Sequence, residues 1–407
     1  MERNTKEIIE ALSVNPVQQY ILDHEHDDVN DLLLKNKQIL GIPARFITEQ
    51  IVSRRKAREK LPLYYQTQGI IFPPPLNFEQ ASSESTARFK EALLKSLLSD
   101  KSATGADLTG GYGVDTFFLS RVTHRMHYSE PEKTLLDIAR HNHNVLGVKN
   151  IEYHSLKAED FIHTTIPQLD FIYLDPSRRT GARKKIQALE DSQPGVLKLS
   201  SEIFKKTNLL LIKASPLLDI QAGIKQLAFV KKVFVLSVAN ECKELLFLGE
   251  KNFEGTPSVE AVNLLNDLVS QKFEFSFPEE RRAEVLFSDP LKYLYEPNAS
   301  ILKAGAFKSV AVRYNLKKIH PSTHLYTASQ WVEEFPGRKF LIENFVRPDR
   351  AEIKKYLPEG KANVTTRNYP LSPEALKNKT GLKDGGEKFL IGFSGQHKKF
   401  LVVAKRL

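Results

Sequence analysis

The sequence predicts an α/β protein whose central part, from about residue 86 to residue 275, forms a mostly parallel sheet covered by helices on both faces. Three observations carry this expectation. Short apolar runs alternate with amphipathic helical stretches at the spacing of βαβ units. A glycine cluster, Gly110, Gly111 and Gly113, falls between a strand and a helix. Acidic residues, Asp107 and Asp175, close two of the apolar runs, at the strand ends where open α/β sheets carry their sites.

Taken in order, residues 1–85 read as a helical region, with apolar positions three or four apart in EIIEALSVNPVQQYILDH and a basic stretch, SRRKAREK, from Ser53 to Lys60. Pro73 to Pro75 cannot sit inside a helix and mark a boundary or a rigid connector. TARFKEALLKSLLSD is then a helix, ATGADLTG a strand closing on Asp107, and VDTFFLSR a helix. HRMHYSEP, NIEYHSLKAED and LDFIYLDP supply further strands, with the helix PEKTLLDIARHNHNVLG between the first two. TNLLLIKASPLL and KKVFVLSVANECKELLFLG follow, separated by DIQAGIKQLAF, and the second of these is expected to fold as an antiparallel pair. From 276 to about 334 the pattern becomes a small mixed module, and from 335 to 407 strands alternate with the short helices KKYLPEG and SPEALKNK.

Composition narrows the partners. Lys and Arg outnumber Asp and Glu by 59 to 49, a net charge of +10 that favours a polyanion or an acidic surface. The last 47 residues, from Lys361, hold ten Lys or Arg against three Asp or Glu. A single cysteine, Cys242, excludes an intramolecular disulfide framework and a multi-cysteine zinc site, and suits a reducing compartment. The charged start MERNTKEIIEAL has no apolar leader and no run is long enough to span a bilayer, so a cytoplasmic protein without a membrane partner is expected. His124, His127, His141 and His143 have no cysteine or paired-carboxylate context; they read as surface histidines, and no metal is expected.

The chemistry concentrates in two stretches. In DLTGGYGVDTFF, Asp107 to Phe118, missing Cβ atoms let a ligand approach the backbone. A dinucleotide fingerprint would need a third glycine where Thr116 stands, and no Gly-Lys-Ser/Thr makes a phosphate loop. A nucleoside cofactor without a pyrophosphate remains, and S-adenosylmethionine suits it, because Asp107 can meet the cationic methionyl end directly or through water. An acid-capped turn without ligand is the plainer alternative. Glu130, just after the next strand, can accept from both ribose hydroxyls or simply favour a helix start. Asp160 can accept from an adenine amino group, with Glu159 as competitor. The second stretch, LDPSRRTG, sets Asp175 and Pro176 before Ser177, Arg178 and Arg179; Asp175 either orients a methyl acceptor or pairs with an arginine to order the loop. Lys213, ending LLLIKASP, is a further wall of the pocket.

From Thr86 to Gly249 the chain resembles the class I S-adenosylmethionine-dependent methyltransferases: DLTGGYGVD, YSEPEKTLLDIARHNHNVLG, AED and YLDPSRR occur in that family's order. The resemblance implies a Rossmann-like sheet of seven strands, with Asp107, Gly111 and Gly113 in the glycine loop, Glu130 at the ribose and Asp160 at the adenine. As a whole the chain is similar to a bacterial group of methyltransferase-like proteins with a ferredoxin-like module (276–334) and a C-terminal THUMP-like module (335–407), on YLYEPNASILKAGAFKSVA and TTRNYPLSPEALKNKTGLKDGG. THUMP modules accompany RNA modification, so the implied substrate is structured RNA, a tRNA or rRNA. Methyltransferases acting on amino nitrogens share an Asp/Asn-Pro-Pro-aromatic stretch, of which Asp175 and Pro176 match the first two positions. Ser177 and Arg178 depart from it, which leaves the acceptor atom open while a guanidinium can still stack on a base or grip phosphate. Lys213 joins Ser177, Arg178 and Arg179 as a candidate substrate contact. A small-molecule or protein substrate held by Arg178 or Arg179, or an RNA-binding protein without catalysis, remains the alternative.

Overall fold

The computed structural model describes residues 5–98, 102–164, 168–178, 189–265 and 270–407. The larger sheet contains β1 (Thr104–Asp107), β2 (Arg125–Ser129), β3 (Ile151–His154), β4 (Phe171–Leu174), β5 (Leu209–Ala214), β6 (Val230–Val238), β7 (Glu241–Glu250), β8 (Ser258–Leu264) and β9 (Ser270–Ser276). Their order is β9-β8-β6-β7-β5-β4-β1-β2-β3, with β3, β2, β1, β4 and β5 parallel and β7 antiparallel to β5. Seven of these strands follow the order 3-2-1-4-5-7-6, so this is the class I methyltransferase sheet. The expected count of seven is corrected to nine: the β8–β9 antiparallel pair extends the sheet at its β6 edge. Local periodicity cannot count strands, because it does not say which hairpin joins which sheet.

β4 is buried along its whole length and β5 over Leu210 to Ile212, which is why both read as unbroken apolar runs rather than alternating ones. Chain reversal after β1 uses Gly111 and Gly113 at φ +53° and +84°, the left-handed region that glycine enters without a Cβ clash.

By packing, the chain resolves into two units, 1–232 with 244–255 and 233–243 with 256–407. In the first, the N-terminal region is helical, as its periodicity predicts, and Pro75 occupies the first turn of the helix Pro75–Gln80, where its missing N–H costs nothing. Its residues Ile47, Ile51, Tyr64, Ile71 and Phe78 share one core with Tyr112, Val114, Phe117 and Phe118 around the glycine turn. Asn142 fixes this connection by exchanging both amide hydrogen bonds with the backbone of Ile71, at 2.8 and 2.9 Å.

In the second unit β10 (Tyr293–Pro297), β11 (Lys317–His320), β12 (Thr323–Ala328), β13 (Gly337–Phe345), β14 (Asn363–Arg367), β15 (Lys388–Ser394) and β16 (Lys399–Arg406) form one sheet, in the order β11-β12-β10-β13-β16-β15-β14. Buried Glu296 on β10 binds Arg338 on β13 and Arg367 on β14, so one carboxylate ties three strands. Among the described residues no helix is long and apolar enough to cross a membrane.

Candidate active site

Asp107 ends β1 with its side chain buried. Its Oδ1 accepts from the Thr109 backbone at 3.0 Å and from the Thr109 hydroxyl at 3.3 Å, while Oδ2 accepts from the Thr116 hydroxyl at 2.6 Å. Burial pushes this carboxyl up to about 7, against the pull of the Thr116 and Thr109 hydrogen bonds and with the help of nearby Asp115 and Asp175. Thr109 also reaches the next strand end, its Oγ1 accepting from the Asp175 backbone N–H at 2.6 Å. One threonine therefore joins the glycine turn after β1 to the loop after β4.

The turn itself is held from β2. Gly111 donates its N–H to Oε2 of Glu130 at 2.9 Å, and Oε1 of Glu130 accepts from the Glu132 backbone at 2.8 Å. Burial raises the Glu130 carboxyl, and these two N–H groups partly offset the rise. Tyr128 donates to the Gly111 carbonyl at 2.6 Å. His143 sits against Gly113, its Nε2 2.9 Å from the Gly113 carbonyl and its Nδ1 3.0 Å from the Tyr153 hydroxyl. Since a carbonyl only accepts, Nε2 must carry the proton and Nδ1 accept from Tyr153. Burial pushes His143 down to about 4, which keeps this neutral tautomer in place.

These distances correct the reading of the histidines as surface groups. His127 and His143 are buried, because β2 and the helix Lys133–Val145 turn those positions inward. His124 alone of the four is fully on the outside.

The loop after β4 carries Asp175 and Pro176, both half-buried. Oδ2 of Asp175 accepts from the Lys213 ammonium at 2.6 Å, so Lys213 lines the site as an ion-pair partner of Asp175. Ser177 and Arg178 continue as a short strand paired with Ser192 and Gln193, but their side chains, and all of Arg179, lie outside the described residues. Asp160 is exposed in the first turn of the short helix after β3. Asp107, Asp175 and Lys213, linked through Thr109, thus lie at the carboxyl ends of β1, β4 and β5, and the Gly111–Glu130 pair lies at the turn after β1 and the end of β2.

Beneath Asp175 runs a charge network that the sequence reading missed. Lys90, fully buried, has its ammonium 2.9 Å from Asp115 and 2.9 Å from Glu244. Asp115 also accepts from Ser82 and Tyr173, each at 2.7 Å. The Ser82 hydroxyl in turn accepts from Lys90 at 3.2 Å and Lys213 at 3.0 Å. Burial alone would raise the Asp115 carboxyl, but Lys90 and Lys213 outweigh it and hold it low. Burial would likewise lower the Lys213 ammonium, and Asp175, Glu244 and Asp115 reverse that direction. The sequence did contain one signal: Lys90 stands three residues after Ala87 and four before Leu94, on the inward stripe of its helix.

Comparison with known proteins adds two domains and one full-length likeness. Residues 293–336 match a ferredoxin-like domain and residues 337–406 a THUMP-like domain. No curated protein matches the chain. The chain is similar over 100% of both lengths to a crystal structure described as a "putative methyltransferase from Porphyromonas gingivalis W83", with 29% identity and a TM-score of 0.85. An rRNA methylase from Streptococcus thermophilus aligns with 40% of this chain and 94% of its own at 16% identity and TM-score 0.31. TrmK of M. capricolum, solved with S-adenosyl-homocysteine, aligns with 40% of this chain and 69% of its own at 13% and 0.31; both likenesses are too weak to carry an argument. The chain thus has the class I methyltransferase fold together with a ferredoxin-like and a THUMP-like domain.

Proposed function

We propose that this chain is a methyltransferase that uses S-adenosylmethionine to methylate a structured RNA, a tRNA or rRNA, at a base amino nitrogen. The observation that carries the reading is Asp175, at the carboxyl end of β4, tied through Thr109 to a glycine turn that Glu130 braces. The residues fit such a cofactor. A Cβ built on Gly111 would meet nothing nearer than 3.8 Å, so the turn leaves room for a ligand. Glu130 uses one lone pair per oxygen on backbone N–H groups and retains others for ribose hydroxyls. Asp160 is exposed and can accept from an adenine amino group. Asp107 is too buried for broad contact and acts through Thr109, Thr116 or a water.

S-adenosylmethionine, when bound, supplies a methyl group on a positively charged sulfur. The chain's own task is to hold the acceptor. Lys213 fixes Oδ2 of Asp175, while among the described residues Oδ1 has no partner and can take an acceptor N–H. Pro176 stiffens that loop, and its carbonyl is suited to a second N–H. Ser177, Arg178 and Arg179 follow in the sequence, and guanidinium groups suit a base or phosphate. RNA as the substrate is supported by the THUMP-like domain, the net charge of +10 and the basic C-terminal stretch. A chain with one cysteine suits work in the reducing cytoplasm.

The test is incorporation of labelled methyl groups into RNA from cells lacking the protein. The wild-type chain should label it and Asp175→Ala should not; equal labelling by the variant overturns the role of Asp175, and no labelling by the wild type overturns the substrate.

A further inference from the structure

We propose that His127, Glu152 and His154 form a binding site for a divalent transition-metal ion, zinc by the chemistry of its donors, on one face of the sheet edge. β2 and β3 are parallel, with His127 opposite Glu152 and Ser129 opposite His154. The alternation of side chains along strands therefore puts His127, Glu152 and His154 on the same face. Their donor atoms converge: Nδ1 of His127 lies 3.1 Å from Nε2 of His154 and 3.4 Å from Oε2 of Glu152, and all three lie within 4.8 Å of one another. Four ligands at about 2.0–2.1 Å around a tetrahedral ion stand about 3.4 Å apart, so the site needs little movement to close on zinc.

Two imidazoles and one carboxylate are a donor set that suits zinc with a water in the fourth position, whereas Mg²⁺ and Ca²⁺ prefer oxygen alone. Glu152, half exposed, leaves that fourth position to solvent, while His127 is nearly enclosed. The site also has the supporting contacts such ions use. Arg125 holds the other oxygen of Glu152 at 3.3 Å, and the Phe161 ring packs on both imidazoles with centroids 5.9 and 5.1 Å away. Binding requires one rearrangement: the proton now shared between Nδ1 of His127 and Nε2 of His154 moves to the far nitrogen of its own ring, freeing both lone pairs.

The ion would act as a staple of the edge strand. The carbonyl of His154 accepts from the Glu130 backbone at 3.0 Å, and Ser129 donates to the Leu156 carbonyl at 2.8 Å, so fixing His154 also fixes the segment that carries Glu130. This inference stands apart from methyl transfer and from any substrate.

The experiment uses the full chain, stripped with a chelator, in calorimetric titration with Zn²⁺ and in absorption spectroscopy with Co²⁺. The expected result is about one equivalent bound at micromolar affinity or tighter, with the visible band of tetrahedral cobalt. Glu152→Gln and His154→Asn, at partly exposed positions, should each weaken binding at least about tenfold, while the exposed His124→Asn leaves it unchanged. Binding weaker than about millimolar, or affinity unaltered in both Glu152→Gln and His154→Asn, overturns the site.

Discussion

The Lys213 ammonium lies 2.6 Å from Oδ2 of Asp175, joining the ends of β4 and β5 in a contact that sequence separation conceals. The pair is only partly exposed, 13% for Lys213 and 33% for Asp175. A carboxylate held at one oxygen presents the other in a defined direction, which is what the proposed acceptor nitrogen would require. Replacing Lys213 by Met should lower kcat by about 10–100-fold, the weight of a charge-assisted hydrogen bond, with the affinity for S-adenosyl-homocysteine unchanged. Steady-state kinetics beside calorimetry check both, and Lys213→Arg should recover part of the rate.

Lys90 should matter for stability rather than rate. Its removal leaves Asp115 and Glu244 buried beside each other's charge. Breaking such a pair from one side costs about 3–5 kcal/mol, so Lys90→Met should lower the urea midpoint sharply. Adding Glu244→Gln to the same chain should return part of the loss, because one uncompensated charge is removed.

Asp107 gives a pH dependence with a definite sign. Its carboxyl rises from 3.8 to about 7 in the folded chain because burial disfavours the ion. The folded state therefore holds a proton that the unfolded state has released, and the stability this brings is complete below about 4 and lost as pH climbs to about 7. At about 1.4 kcal/mol per unit, the difference in unfolding free energy between wild type and Asp107→Asn should fall by a few kcal/mol between pH 4 and 7 and be flat above. Denaturant titrations at several pH values measure it; a difference constant with pH contradicts the assignment.

Gly113 and Gly147 separate backbone strain from crowding. Both have positive φ, +84° and +79°, but a Cβ on Gly113 would stand 2.8 Å from the His143 ring, whereas nothing lies within 4 Å at Gly147. Gly147→Ala should cost only the backbone term, about 1–2 kcal/mol. Gly113→Ala should cost more and also weaken cofactor binding, since His143 must leave the Gly113 carbonyl; thermal unfolding and calorimetry distinguish the two variants.

Much of the fold was legible because strand and helix periodicities are local. Alternation of apolar runs with amphipathic helices gave the sheet from neighbours in the chain, and the glycine cluster at 110–113 with the carboxylates at 107, 130 and 175 gave a candidate site at its strand ends. Even the inward Lys90 left a mark, as a charge on an apolar stripe.

What only the tertiary structure decided are the pairings between distant segments. Lys213 meets Asp175 across 38 positions, Lys90 meets Glu244 across 154, and Thr109 meets Asp175 across 66. The same holds for His143 beneath Gly113, His127 beside His154, and the two strands added at the sheet's edge. Local sequence sets which backbone conformation each segment prefers and which face is apolar. It does not set which partner a buried charge finds, because that choice minimises the cost of desolvation over the whole packed unit.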